Sequence, residues 1–414
     1  MSSRITSNML SSNYLRNMKR NMNNMQTLQN QLASGKEINK ASDNPYKASR
    51  SMQLHSEISY NTQYNENIKD TSNWLDTTDT ALSQMGNIFG RIETLLVNAG
   101  NGTYGDDEKS AIKDEIKEKI NELSQVLNTS FDGSYIFGGT KTNSKPTTVV
   151  DGVLKYADKN GNGITKTSTG MSIDLSTSPI ESSLIPSNNM KIEEINKTGN
   201  NVTITIKDYT TATAPTTSTT TVDLTKVGTV TPPATKPETL ESLFATALAP
   251  NFNSNDVNKV VTSYSSFDQI NSDLNVDISE GVKTVYNKNA VDILEFKDKN
   301  GKSINVSDLL SNIIDHLNAG GDSKSLITTD LADIQSVTAN LLQKRSEVGT
   351  MQNRMDSAQA NNETQNYNMT DILSKTEDID FADKTMEYSI MQTVYTAALQ
   401  TSAKVLPMTI LSYL

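Results

Sequence analysis

The sequence predicts a mainly α fold: an elongated antiparallel helical bundle, or coiled coil, formed by both chain ends, with a β-rich domain inserted between them. Three observations carry this. Eight of the ten prolines lie between Pro146 and Pro250, leaving only Pro45 and Pro407 in the flanks, and proline breaks helix interiors. Apolar residues recur every seven positions in both flanks, as in a coiled-coil seam. Between the flanks, alternating runs such as Val202-Thr203-Ile204-Thr205-Ile206 have the period of two expected of strands.

The first element is an amphipathic helix whose seam is Leu15, Met18, Met22, Met25 and Leu32, with Leu28 beside it and Gly35 at its end. After a short linker, Asp43 or Asn44 caps a second helix with Pro45 in its first turn, where a missing N–H costs nothing. Ile68, Leu75, Leu82, Phe89 and Leu96 form one heptad series, and Thr71, Thr78, Met85, Ile92 and Ala99 follow each by three. From Pro45 to about Asn98 this helix spans roughly 80 Å at 1.5 Å per residue. Asn101-Gly102 breaks it, and Asp106 caps a third helix striped with Ile112, Ile116, Ile120, Leu123 and Leu127, predicted to fold back on the second. Phe131 to Thr142 reads as a turn and a short strand or hairpin.

From Pro146 to Gly301 the pattern is β-rich with loops. Glu238 to Leu248 reads as a short helix, Thr210 to Thr221 as a flexible loop, and Leu309 to Leu317 as another helix before Gly320-Gly321. The heptads then return with Ile334, Leu341, Val348 and Met355, and after Asp371 a terminal helix carries Ile379, Met386, Ile390, Val394 and Ala397. The expected organisation is terminal helices at 1–42 and 376–414, a helical rod with a short hairpin at 43–145 and 302–375, and a β-rich outer domain at 146–301.

Length and composition fit this layout. The 414 residues allow two or three structural units. With 35% hydrophobic and 6% aromatic residues, few positions can be central core, which favours long helical surfaces over one compact globule. A net charge of -11 disfavours nucleic acid and anionic membrane as partners, because both need a basic face. There is no cysteine, so disulfides, thiolate metal sites and cysteine nucleophiles are excluded together. The N-terminus lacks the apolar core of a cleaved secretory signal, and no segment reaches ~20 apolar residues, so membrane insertion is not expected.

No motif calls for a catalytic, cofactor or metal site. Gly100 to Gly105 fits G-x-G-x-x-G, but it follows a heptad helix where a dinucleotide site needs a strand. Asp158 to Gly163 begins like a calcium loop, yet Thr169 stands where a bidentate glutamate is required; this run and Asp298 to Gly301 read as turns. His55 and His316 occur singly, without metalloprotease spacing. Asp106, Asp107 and Glu108 lie in a first helical turn, where the helix dipole explains them. The expectation is a protein that is not an enzyme and needs no cofactor.

Both flanks carry a family resemblance. Ile5 to Leu10, Tyr14-Leu15-Arg16-Asn17, Gln31 to Ser49, Gln63 to Ile68, Trp74 to Leu82 and Tyr135 to Thr140 are similar to the N-terminal pattern of bacterial flagellins. Arg345 to Gly349, Asn353-Arg354-Met355, Asp378 to Asp383 and Ile410 to Leu414 resemble the C-terminal pattern. Within the family, the ITSNML, YLRN, WLDTTD and VGTMQNRM runs are nearer to the hook-associated junction branch than to filament flagellin. The resemblance implies a structural subunit of the extracellular flagellum, exported through the flagellar apparatus and self-assembling in a ring or helix. Its implied neighbours are the adjacent hook-associated protein and flagellin, and before export a cytosolic chaperone. The terminal helices would form the inner tube. Their seams, Leu15, Met18, Met22, Met25 and Leu32 with Met386, Ile390, Val394 and Ala397, are the expected assembly residues. The rod core is expected at Ile68, Leu75, Leu82, Phe89, Leu96, Ile334, Leu341, Val348 and Met355.

Overall fold

The computed structural model describes residues 7–100, 105–167, 170–173, 190–198, 201–208, 216–226, 240–248, 254–318 and 323–405. The chain divides into two compact units, Met1–Glu66 with Ala358–Leu414, and Asn67–Ser357.

Helix α1 (Ser7–Ser34) stops where Gly35 turns to φ +72° and donates its N–H to Gln31 O at 2.8 Å, a left-handed C-terminal stop that glycine adopts without strain. The Asp43 carboxylate closes the following turn by accepting the N–H groups of Asn39 and Lys40 at 3.3 and 2.9 Å. Asn44, the second of the two candidate caps, accepts the Lys47 N–H at 3.1 Å and starts α2 (Pro45–Ala99). Helix α3 (Asp106–Leu127) is entered from Gly105, whose N–H is accepted by the Glu108 carboxylate at 3.0 Å. Asp106 is therefore a first-turn residue and not the predicted cap; its charge complements the helix's positive end.

Strands β1 (Ser130–Phe131) and β2 (Ser134–Tyr135) form the expected hairpin. Asp132 and Gly133 turn it at φ +48° and +77°, the left-handed pair that a two-residue hairpin loop requires. Seven antiparallel strands then follow one another as neighbours: β3 (Thr147–Val150), β4 (Val153–Ala157), β5 (Gly163–Thr167), β6 (Gly170–Ile173), β7 (Met190–Thr198), β8 (Asn201–Asp208) and β9 (Thr216–Asp223). After them come α4 (Leu240–Leu248), α5 (Ser254–Ile270), the hairpin β10 (Asn275–Ser279) with β11 (Val282–Val285), α6 (Ala290–Leu294), and the hairpin β12 (Glu295–Lys297) with β13 (Ser303–Asn305). Helix α7 (Val306–His316) and a short turn, α8 (Ser323–Ser325), lead into a π-helical stretch at Leu326–Asp330, and then come α9 (Leu331–Glu377) and α10 (Phe381–Val405).

Several expectations need correcting. The threonine run from Thr216 onward is strand β9, in unbroken register with β8 from Asn201↔Asp223 to Asp208↔Thr216. Polar composition suggested a loop, but β-branched threonines suit a pleated ladder once a partner strand supplies the hydrogen bonds. Residues 210–215 lie outside the described residues. The 17-residue α5 went unrecognised within the β-rich insert, although Val257, Val260, Val261 and Tyr264 have helical spacing. Helix α9 continues through Asp371 to Glu377. Ile379 therefore belongs to the link before α10, where its N–H donates to Gly35 O at 3.1 Å.

Within Asn67–Ser357, α2 and α9 are joined side by side in antiparallel register. Arg345 forks onto Asp79 at 2.9 and 3.0 Å, and Gln352 donates to Asp76 at 2.7 Å. All nine expected rod-core residues are at most 1% exposed. On α3, Ile116, Ile120, Leu123 and Leu127 are buried and Ile112 is half-buried. Arg91 of α2 pairs with Glu115 of α3 at 2.7 Å, consistent with the predicted fold-back. Tyr156 of β4 meets Phe267 of α5 edge to face at 5.2 Å. The inward face of β8 and β9 is Val202, Ile204, Ile206 and Val222, all buried.

Candidate functional site: the assembly surface

Helices α1 and α10 pack against each other in the first unit. Tyr14 donates its hydroxyl to Ala398 O, while Phe381 lies beside Gly35, so the pair runs antiparallel. Half-buried or buried residues recur on α1 at Tyr14, Met18, Asn21, Met25, Leu28 and Leu32, and on α10 at Lys384, Tyr388, Met391, Tyr395 and Ala398. Their alternating steps of three and four define two facing stripes.

The predicted seam residues divide between this stripe and solvent. Met18, Met25 and Leu32 are half-buried. Leu15, Met22, Met386, Ile390 and Val394 are about half exposed, and Ala397 is exposed as well. Leu28, which stood beside the expected seam, is 7% exposed and is the most buried among the described side chains of α1. The inward face of α10 was missed because Tyr388 and Tyr395 are amphipathic, and the apolar period was read through Met386, Ile390 and Val394 instead. Those three lie on a second apolar face. A groove of about 440 Å³ between α1 and α10 is lined by Leu28, Ile390, Met391 and Val394 among others.

Residues far apart in sequence close the base of this pair. Lys36 and Asp378 form an antiparallel bridge, and Glu37 N–H donates to Glu377 O at 2.5 Å. The Lys36 ammonium reaches Glu377 at 2.9 Å and Asp378 at 2.7 Å. Glu377 also accepts from Ser51 Oγ at 2.6 Å and lies 3.1 Å from His55 Nε2. Burial pushes Glu377 up, but the hydrogen bonds from Ser51, Lys36 and His55 outweigh it and hold the carboxyl below its usual range. Hydrogen bonds from Lys36 and then Ser374 hold Asp378 low, and the bonds to Asp378 and Glu377 raise Lys36.

The remaining motif residues serve the second unit. Trp74 packs edge to face on Phe131 and Tyr286, at 6.2 and 5.7 Å. Gly139 sits at φ +58°, where a Cβ would lie 2.3 Å from Gln269 O, and Thr140 N–H donates to that same carbonyl at 2.9 Å. Lys141 is 5% exposed and caps the carbonyls of Lys145 and Ala157 at 2.6 and 2.9 Å. Burial lowers its ammonium to about 8, against the attraction of Asp158. The Asp158 carboxylate accepts the N–H groups of Asn160 and Asn162, as a turn requires. Among the described residues no cluster could hold a metal ion, and no helix is long and apolar enough to cross a membrane.

Comparison with known proteins bears on both flanks. Residues 5–142 match the bacterial flagellin N-terminal helical region, and residues 331–414 match the bacterial flagellin C-terminal helical region. Flagellin of Clostridium tyrobutyricum is 22% identical over 392 residues, 93% of this chain and 94% of that protein. Phase 1 flagellin of Salmonella naestved is 32% identical over 130 residues, which is 31% of this chain and 26% of that flagellin. A structure of flagellar hook-associated protein 3 from Legionella pneumophila aligns with 78% of this chain and 97% of its own, at 14% identity and a TM-score of 0.39. With both helical regions matched over more than half its length, the chain belongs to the bacterial flagellin family and is a structural protein of the flagellum.

Proposed function

We propose that the protein is the junction subunit that connects the neighbouring hook-associated protein to the flagellin filament. The exposed second face of the α1–α10 pair is the observation that supports an assembly role. Leu15 and Met22 on one helix, and Met386, Ile390 and Val394 on the other, remain about half in water after the two helices have packed. Neighbouring subunits of a ring or helical tier would cover them and form the inner tube. In the cytosol before export, a chaperone would cover the α10 face for the same reason. The junction reading over the filament reading rests on the ITSNML, YLRN, WLDTTD and VGTMQNRM runs.

Electron microscopy of flagella labelled for this protein tests it. Label confined to the base of the filament is expected. Label along the whole filament would mean that the chain is flagellin itself, a reading favoured by its likeness to the clostridial flagellin over nearly the whole length of both. The insert is accessory in either case: a chain lacking residues 150–295 should still support motility, and loss of motility would point to an activity in the insert, such as adhesion.

A further inference from the structure

The heptad series of α2 contains one interruption. Leu54, Ile68, Leu75, Leu82, Phe89 and Leu96 are all buried, and the seven-residue step between Leu54 and Ile68 falls on Asn61. On α9, Ile334, Leu341, Val348 and Met355 are buried, and the next step of seven falls on Asn362. Both asparagines are buried, at 5% and 1% exposure. They also meet: Asn61 Nδ2 donates to Asn362 O at 3.2 Å and to Gln365 Oε1 at 3.4 Å.

One turn further along each helix stand Asn65 and Asn366, whose Oδ1 atoms are buried without a hydrogen-bond partner. Antiparallel register places these two on opposite sides of the Asn61 and Asn362 contact. The helix pair thus carries a cluster of four asparagines, two of which, Asn61 and Asn362, stand where its heptad pattern calls for apolar side chains. Toward the helix ends the packing becomes apolar again, with Leu54 at 1% and Leu373 at 8% exposure.

We propose that this layer fixes where local opening of the helix pair stops. Separating an apolar layer exposes greasy surface to water. Separating the asparagine layer instead returns buried amide groups to water, and the two unpartnered oxygens regain hydrogen bonds. An opening that begins at the Lys36 and Glu377 junction and has exposed Leu54 and Leu373 therefore passes the layer at little further cost. It halts at the next dry heptad positions, Ile68 and Met355. Residues 45–60 and 363–377 consequently open as one cooperative segment, and the chain ends can be released and re-formed without unfolding Asn67–Ser357. This inference does not depend on the junction reading.

Native-state amide exchange on the full chain, read by mass spectrometry, tests the proposal. Residues 47–60 and 363–373 should share one opening equilibrium, with protection stepping up sharply within one heptad of Asn61 and Asn362. In an Asn61→Leu/Asn362→Leu variant, protection of 47–60 should rise about tenfold or more while that of 68–96 stays unchanged. An Asn65→Leu/Asn366→Leu variant, which removes only the unpartnered acceptors, should move in the same direction if the first variant folds poorly. A smooth gradient in the unaltered protein, or unchanged protection of 47–60 in a folded leucine variant, overturns the proposal.

Discussion

The ammonium of Lys36 lies 2.9 Å from the carboxylate of Glu377, across 341 residues of chain. These residues flank the end of α1 and the end of α9, so the contact fixes where the terminal pair departs from the long helices. Lys36→Met is expected to weaken this junction by about 0.5–1 kcal/mol, because the lysine is partly solvated and water screens the pair. Glu377→Gln should cost more, since three donors converge on a carboxylate only 15% exposed. Limited proteolysis between Glu37 and Lys47 reads the effect, and equal cleavage in wild type and both variants would falsify the assignment.

The pH dependence has two opposite signs. Glu377 and Asp378 have lowered values, so their contribution is complete above the ordinary carboxylate range and is lost as pH falls through the lowered values. Lys141 is also lowered, to about 8, but it is a cation. The unfolded chain therefore holds more protons than the folded one between about pH 8 and 10.5, and stability from this group rises with pH in that window. Lys36, which is raised, contributes fully below its unfolded value and loses its contribution only as pH passes through the raised one. Denaturant midpoints for Asn67–Ser357 should climb from pH 8 to 10 in wild type and not in Lys141→Met; the same slope in both would remove Lys141 as the cause.

Ile390→Asp should abolish incorporation and leave the monomer intact. Ile390 is 56% exposed, so a carboxylate there meets water in the free chain, whereas in an assembled tier it would be buried without a partner at a cost of several kcal/mol. The expected result in cells lacking the wild-type protein is filament detached from hooks, flagellin shed to the medium, and purified variant with unchanged circular dichroism. Normal filaments would refute the assembly role of this face.

Two glycines should respond oppositely to alanine. Gly139→Ala puts a Cβ 2.3 Å from Gln269 O at a positive φ and should destabilise by at least ~2 kcal/mol. Gly86, in the middle of α2, has open space where a Cβ would stand, with no atom within 4 Å, so Gly86→Ala should be stabilising by about 0.5–1 kcal/mol through helix propensity. Thermal melts of the two variants moving in the same direction would contradict the packing described.

Legibility of the fold followed the strength of each local signal. The rod heptads could be read because Ile68 to Leu96 and Ile334 to Met355 repeat one apolar period over several turns. Strand β9 could not, since only its register with β8 makes a threonine run a strand. The outward stripe at Met386, Ile390 and Val394 was visible in sequence, but the inward stripe through Tyr388 and Tyr395 was not, because tyrosine satisfies either an apolar or a polar pattern. The flanking motifs were recognisable as text; that Asp79 accepts from Arg345 and that Glu377 accepts from Lys36 is long-range pairing that no local window contains.

That long-range pairing also governs timing. Asp79 and Arg345 are 266 residues apart, so at ribosomal rates of about 5–20 residues per second the second emerges roughly 13–53 s after the first. Throughout that interval the apolar stripe of α2 has no α9 to cover it, and closing a loop of that length adds an entropic cost to forming the pair. The rod therefore forms only near the end of synthesis, and a factor that acts on the nascent chain before Arg345 appears meets α2 without its partner.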